Sequence, residues 1–339
     1  MSGQGISKKL SLAATDRDRP LASPQVIVGG NASHSDDGVR EAEITDVSII
    51  VCTRNRSEHL SRLLEQISRL PAPADWDIEV LVVDNGSTDA TPAVAMGAPI
   101  PGMSVRHILE PRAGKGYAYN TGLAAARGRA FLLTDDDTQP QGGWIEGMCG
   151  PILRGEADAV QGGVRIAEHL ERPWLRGVLR VWVAAVEDPT EPPEGLVGAN
   201  MAFSREVWNQ VGPFDVRLGP GAAGFFDDTI FGWAVEQRSF RIAYRPDVLV
   251  EHHFEADRLT VGAFMTAADR MAKSRLIALG PEGPATLRKL AVQAPGLALR
   301  TLTQMVRFVL RREPDPGFLS RYYRLCCWRA ARSHKGTYA

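Results

Sequence analysis

Three polar clusters carry the residue types that could do chemistry. Asp135-Asp136-Asp137 follows the apolar run Ala130–Leu133. Clustered carboxylates at such a point have two uses. They can form a solvated acidic turn ahead of a helix over Gly142–Leu153, or seat a divalent cation that bridges them to phosphate oxygens. A cation there would also act as a Lewis acid on a phosphate leaving group. Asp227-Asp228 lies between the Gly-rich stretch Gly219–Gly224 and an apolar segment holding Ile230, Phe231 and Trp233. Paired carboxylates suit a helix start through its dipole. They equally suit a general base delivered by a mobile loop. His252 and His253 close the run Val248-Leu249-Val250. A histidine at a strand end can be structural, or its neutral imidazole can complete a coordination sphere begun by carboxylates.

Two further segments could handle phosphates or bases, or could simply be a turn and a loop leading into an amphipathic helix. Asp84 ends an apolar run in VVDNGSTD, where Asn85-Gly86 favours a turn. Its carboxylate can accept a hydrogen bond from a base N–H or a ribose hydroxyl. Gly114-Lys115-Gly116 through Asn120-Thr121-Gly122 opens a helix. Glycine permits close backbone approach, and a helix N-terminus attracts phosphate. Neither Ser nor Thr follows Lys115, so this is not a P-loop, and no G-x-G-x-x-G follows the first apolar run.

These clusters need elements to hold them. Val47–Thr53, Ile78–Val83, Val105–Leu109 and Ala130–Leu133 are predicted as strands. Between them, helices are expected over Ser57–Arg69 with Ser57 as cap, from Ser87 to Ala95, and over Lys115–Arg127. Continuous apolar strands alternating with helices predict a Rossmann-like, mostly parallel sheet flanked by helices, an α/β fold. Its ligands would bind at the carboxyl ends of the strands, where Thr53-Arg54-Asn55-Arg56, Asp84 and the Asp triplet fall. Beyond residue 157, strands are expected at Ala157–Val164 and Val197–Phe203, and helices at Trp174–Val186 and Phe226–Gln237.

Composition sets the frame. With 44% hydrophobic and 23% charged residues, the chain reads as an ordinary globular enzyme. Its net charge of −1 points to no nucleic-acid partner. Residues 1–45 read as a disordered leader, 46–257 as an α/β domain, which the family resemblance set out below implies is catalytic with a nucleotide half (46–140) and an acceptor half (141–257), and 258–339 as a basic helical extension. From Arg258 onward there are 15 Lys plus Arg against 4 Asp plus Glu. Within it, residues 286–312 mix leucines with arginines as a basic amphipathic helix would. Such a helix lies on an anionic membrane surface or packs on the catalytic domain. No apolar run is long enough to span a membrane, and the four cysteines, two of them adjacent, read as reduced thiols in a cytoplasmic protein.

In order and spacing, VSIIVCTRNR, VLVVDNGSTD, GKGYAYNTGLAAARGRAFLLTDDDTQP, GANMAFSREVWNQVGPFD and FFDDTIFGWAVEQRSFRIAYRPDVLVEHH resemble glycosyltransferase family 2. The resemblance spans Val47 to about Phe254. It implies a GT-A fold and an inverting transfer from a nucleotide-sugar, a UDP-sugar favoured, to a glycan, lipid-linked or small-molecule acceptor. It assigns Asp84 to the nucleobase or ribose, and Asp135 and Asp137 to a DxD motif for Mn2+ or Mg2+. Asp228 becomes the catalytic base and His252 a third metal ligand. Gly198-Ala199-Asn200 would line the sugar and acceptor pocket, with Asp227 on the acceptor side and Trp233 beside it. Thr53, Arg54, Asn55, Arg56, Lys115, Asn120 and Asp136 are expected around the donor. Two departures stand out. The family's usual Glu-Asp is Asp227-Asp228 here, and the Gln-x-x-Arg-Trp signature of processive synthases is missing, which favours single addition. The rivals are a nucleotidyltransferase, which would need a Gly-rich loop after the first strand, and a catalytically inactive binding module.

Overall fold

The computed structural model describes residues 44–97, 99–280 and 314–334. The first half runs β1 (Thr45–Thr53), α1 (Ser57–Arg69), β2 (Ile78–Asp84), α2 (Thr91–Gly97), β3 (Met103–Leu109), α3 (Lys115–Ala125) and β4 (Gly128–Asp135). The second half adds β5 (Thr138–Pro140), α4 (Trp144–Leu153), β6 (Ala159–Ile166), α5 (Val178–Trp182), β7 (Asn200–Ser204), α6 (Arg205–Val211), α7 (Asp227–Gln237) and β8 (Ile242–His252). Two long helices follow, α8 (Val261–Leu279) and α9 (Pro316–His334).

The strands form one sheet in the order β3-β2-β1-β4-β7-β6-β8-β5. β3, β2, β1 and β4 are parallel, as their apolar runs predict. β7 runs antiparallel to both β4 and β6, and β5 antiparallel to β8, while β6 and β8 are parallel. The sheet is therefore parallel in its first half and mixed in its second.

Alternating side chains of β1 and β2 face opposite layers. Ile49, Val51, Val80 and Val82 pack with Leu60, Leu63 and Ile67 of α1 and Trp144 of α4. Ile50, Leu81 and Val83 pack on the other face with Tyr119 and Leu123 of α3 and with Phe214 and Phe231. Burial on both faces is why these strands read as unbroken apolar runs. A third cluster joins Ile166, Leu179, Trp182 and Phe254 to Phe264 of α8 and to Phe318 and Tyr323 of α9. The core thus continues across residue 257.

Several local expectations are corrected. Ser57 is the first helical residue rather than the cap, and its amide donates to Asp89 Oδ2 at 3.2 Å. The helix expected from Ser87 begins at Thr91, because Ser87 and Thr88 are tied to Asp84 and Asn55 instead. The helix expected over Trp174–Val186 shrinks to α5, bounded by left-handed Gly177 (φ 57°) and Ala184 (φ 64°). The strand expected from Val197 starts at Asn200, after a turn in which Asn200 N donates to Val197 O. Among the described residues, no helix is long and apolar enough to cross a membrane. All but the last two residues of the expected leader, and the whole of 286–312, lie outside the described residues.

Candidate active site

The carboxyl ends of β1, β2 and β4 lie side by side, so their three polar loops converge. The β1 and β2 loops are laced together. Asn55 sits in the left-handed region (φ 53°), its amide donates to Ser87 Oγ at 2.9 Å, and its Oδ1 accepts from Thr88 N at 2.7 Å. Arg54 stays exposed at the rim. Asp84 is buried, its Oδ1 accepting from Ser87 N at 2.8 Å. His107 of β3, which belongs to no sequence motif named above, stands 3.6 Å from Asp84 Oδ2. Asn85 does more than form a turn. Its Oδ1 accepts from Gly114 N at 2.8 Å, and its Nδ2 donates to the carbonyls of Glu110 and Arg112, which fixes the loop ahead of Lys115.

The three aspartates after β4 have separate partners. Asp135 is ion-paired with Lys115. Asp136 accepts from Thr53 Oγ1 at 2.7 Å and from Arg56 Nη1 at 2.9 Å. Burial pushes its carboxyl up to about 6, against the pull of the Arg56 charge. Asp137 accepts from Arg56 Nη1 at 2.7 Å, and its Oδ1 lies 3.3 Å from His252 Nε2. Its burial opposes ionisation, but His252 and Arg56 outweigh that and hold it well below the usual carboxylate range.

The β5–β8 pairing makes this contact. It sets Thr138 opposite His252, and His253 N donates to Asp137 O at 2.7 Å. His252 Nδ1 lies 3.0 Å from Val183 O. A carbonyl only accepts, so Nδ1 carries a hydrogen and Nε2 is left facing Asp137. A buried carboxylate beside an imidazole nitrogen, with the other ring nitrogen anchored to a carbonyl, fits a divalent cation. Asp135 is turned to Lys115, so the expected set of Asp135, Asp137 and His252 is not gathered. Among the described residues, no three acidic, histidine or cysteine side chains form a ready cation site.

The start of α7 brings two more carboxylates within electrostatic reach of Lys115 and Asp135. Asp228 Oδ2 accepts from Gly198 N at 2.8 Å, and Oδ1 from Thr229 N at 2.7 Å. Gly198 leaves little room for any side chain. A Cβ there would lie 3.0 Å from the Tyr119 hydroxyl and 3.4 Å from Asp228 Oδ2. Burial raises the Asp228 carboxyl, and the Gly198 amide opposes the rise. Asp227 packs against left-handed Gly219 (φ 74°), whose Cβ would fall 2.5 Å from the Asp227 carboxyl carbon. Burial, then the neighbouring Asp228 charge, pushes Asp227 up to about 7, with Lys115 pulling the other way.

Asn120, expected around the donor, and Ala199, Asn200 and Trp233, expected in the acceptor pocket, are held by contacts within the fold. Asn120 exchanges two hydrogen bonds with the backbone of Phe214. Ala199 is buried, its carbonyl accepting from Thr134 Oγ1 at 2.8 Å. Asn200 is 0% exposed. It accepts from Trp144 Nε1 at 2.9 Å and donates to the carbonyls of Gly163 and Val248 at 2.8 and 2.9 Å. Trp233 is buried with Leu218 and Leu279.

A parallel half-sheet ending in acidic loops, extended by a mixed half-sheet that supplies a facing carboxylate, defines a GT-A fold. The mannosyltransferase PcManGT from Pyrobaculum calidifontis, solved with GDP-Man and Mn2+, shares it with a TM-score of 0.51 at 20% identity, over 88% of this chain and 76% of that one. Residues 48–208 match the model for glycosyl transferase family 2.

Among its relatives is the succinoglycan biosynthesis protein ExoO of Rhizobium meliloti (strain 1021), 40% identical over 29% of this chain and 28% of that protein. Glycosyltransferase AglE of Haloferax volcanii is 30% identical over 35% and 39%. The chain therefore spans well under half of either. An N-acetylglucosaminyl-diphospho-decaprenol L-rhamnosyltransferase of Mycobacterium tuberculosis is 26% identical over 62% of this chain and 77% of that protein.

Proposed function

We propose that this chain transfers one sugar from a nucleotide-sugar, a UDP-sugar favoured, to an acceptor hydroxyl, with inversion at the anomeric carbon. The observation that carries the reading is Asp228. It is a carboxylate raised by burial, oriented by the Gly198 and Thr229 amides, within electrostatic reach of Lys115 and Asp135. Anchored this way, it can take a proton from an attacking hydroxyl without first being reoriented. Asp84 has its Oδ1 committed to Ser87 and would receive the base or ribose of the donor. Arg56 and Lys115 would face the diphosphate once their carboxylate partners are shared. A Mn2+ or Mg2+ ion on Asp137 and His252, with Asp135 as a further ligand, would supply Lewis-acid neutralisation of the leaving diphosphate. Asp228 then holds the acceptor proton as the glycosidic bond forms, and no protein nucleophile is needed.

The ligands of the Pyrobaculum enzyme, GDP-Man and Mn2+, support a nucleotide-sugar and a cation. The mycobacterial rhamnosyltransferase's name supports a lipid-linked acceptor, a chemistry that suits a protein resident at an anionic cytoplasmic membrane surface. The test is release of nucleoside diphosphate from a nucleotide-sugar. EDTA should stop it, and Mn2+ or Mg2+ should restore it. Full turnover in chelator would remove the cation from this account.

A further inference from the structure

Three cationic side chains stand around the Asp triplet, and one of them has no carboxylate. Arg56 pairs with Asp136 and Asp137, and Lys115 with Asp135. The third is Arg258. It lies on the short 3-10 turn Ala256–Leu259 that follows β8, and Leu259 anchors that turn in the third core cluster. Its guanidinium carbon sits 4.9 Å from the centroid of the Phe254 ring. Phe254 in turn meets the His252 ring edge-on at 4.9 Å, and His252 Nε2 is 3.3 Å from Asp137. One strand end and its turn thus lead the guanidinium to the acidic edge of the donor site. Among the described residues it makes no ion pair. Asp137 and Asp135 still act on it at longer range, more strongly than its neighbour Asp257, while burial pulls its basicity down.

A half-buried guanidinium without a paired anion is costly. Taking an ion out of water is expensive, and a cation–π contact returns only part of that cost. An arriving anion would remove the imbalance, and a diphosphate offers the planar fork two oxygens at once. We infer that Arg258 binds the diphosphate of the donor, beside the Asp137–His252 edge, as a cation separate from Arg56 and Lys115. This rests on the nucleotide-sugar reading above. It also places a donor-binding residue beyond residue 257, the boundary that the sequence suggests for the catalytic domain.

Calorimetry on the full chain with Mn2+ tests it, using UDP, GDP and dTDP and, for whichever binds, the matching nucleoside. Arg258→Met keeps an apolar stem on Phe254 and removes the charge. Arg258→Lys keeps the charge and loses the fork. Arg258→Met should weaken the nucleoside diphosphate about 10- to 100-fold, the worth of a charged hydrogen-bonding group. It should leave the nucleoside's affinity unchanged, and Arg258→Lys should recover part of the loss. Equal diphosphate affinity in wild type and Arg258→Met would overturn the inference and leave the functional reading standing. So would an equal loss for nucleoside and diphosphate, which marks a structural role. If wild type bound none of the three, the functional reading itself would fall and this inference with it.

Discussion

Adjacent carboxylates on one helix turn have been given different surroundings. Asp228 takes two backbone amides, while Asp227 is pressed against the Gly219 backbone. That asymmetry favours Asp228 as the proton acceptor, and it predicts a split between turnover and binding. Asp228→Asn should lower kcat by about 10²–10⁴ and change nucleoside diphosphate affinity little, as expected of a group that acts in the transition state. The pair should also show in a pH profile. Both carboxyls are raised by burial, and they share the neighbouring charges of Lys115 and Asp135. A base must be ionised to work, so kcat should fall as pH drops through the pair's apparent pKa. Since both are raised, that acid limb should lie above the ordinary carboxylate value of about 4. A limb at or below about pH 4 would assign the base elsewhere.

At the scale of elements, sequence and structure part where contacts are distant. Asp84, the Asp triplet and the Thr53–Arg56 loop were legible because continuous apolar runs imply parallel strands, and parallel strands put their loops at one end. That His252 reaches Asp137 depends on β5, a three-residue strand with no periodicity to read. Asn200 was placed in a pocket because of its motif, yet it ties α4, β6 and β8 together through Trp144, Gly163 and Val248. Only tertiary packing creates that role. Asn200→Ala would leave a buried indole N–H and weaken two carbonyls. It should cost at least about 3 kcal/mol of unfolding free energy, measured by urea titration. Unchanged stability with a raised acceptor KM would instead return Asn200 to the pocket.

Across the described residues, the end of β6 and the segment after β8 share one core cluster with the C-terminal helices α8 and α9. Phe254, which meets the His252 ring edge-on, is buried in the same cluster as Phe264 and Phe318. The sequence suggested a division at residue 257 because charge changes sign there, but charge composition does not report on which apolar faces meet. The basic extension therefore supports the wall that holds His252 and Arg258. The account's central claim is that this assembly breaks the bond between sugar and diphosphate. The direct measurement is chromatography of the nucleotide formed when the protein is incubated with Mn2+ and a panel of UDP-, GDP- and dTDP-sugars, with acceptor alcohols and with pyrophosphate. The account predicts nucleoside diphosphate from at least one donor, dependent on Asp228 and independent of pyrophosphate. Nucleoside triphosphate formed only with pyrophosphate, the product of a nucleotidyltransferase run in reverse, or an unchanged donor throughout the panel, would contradict it.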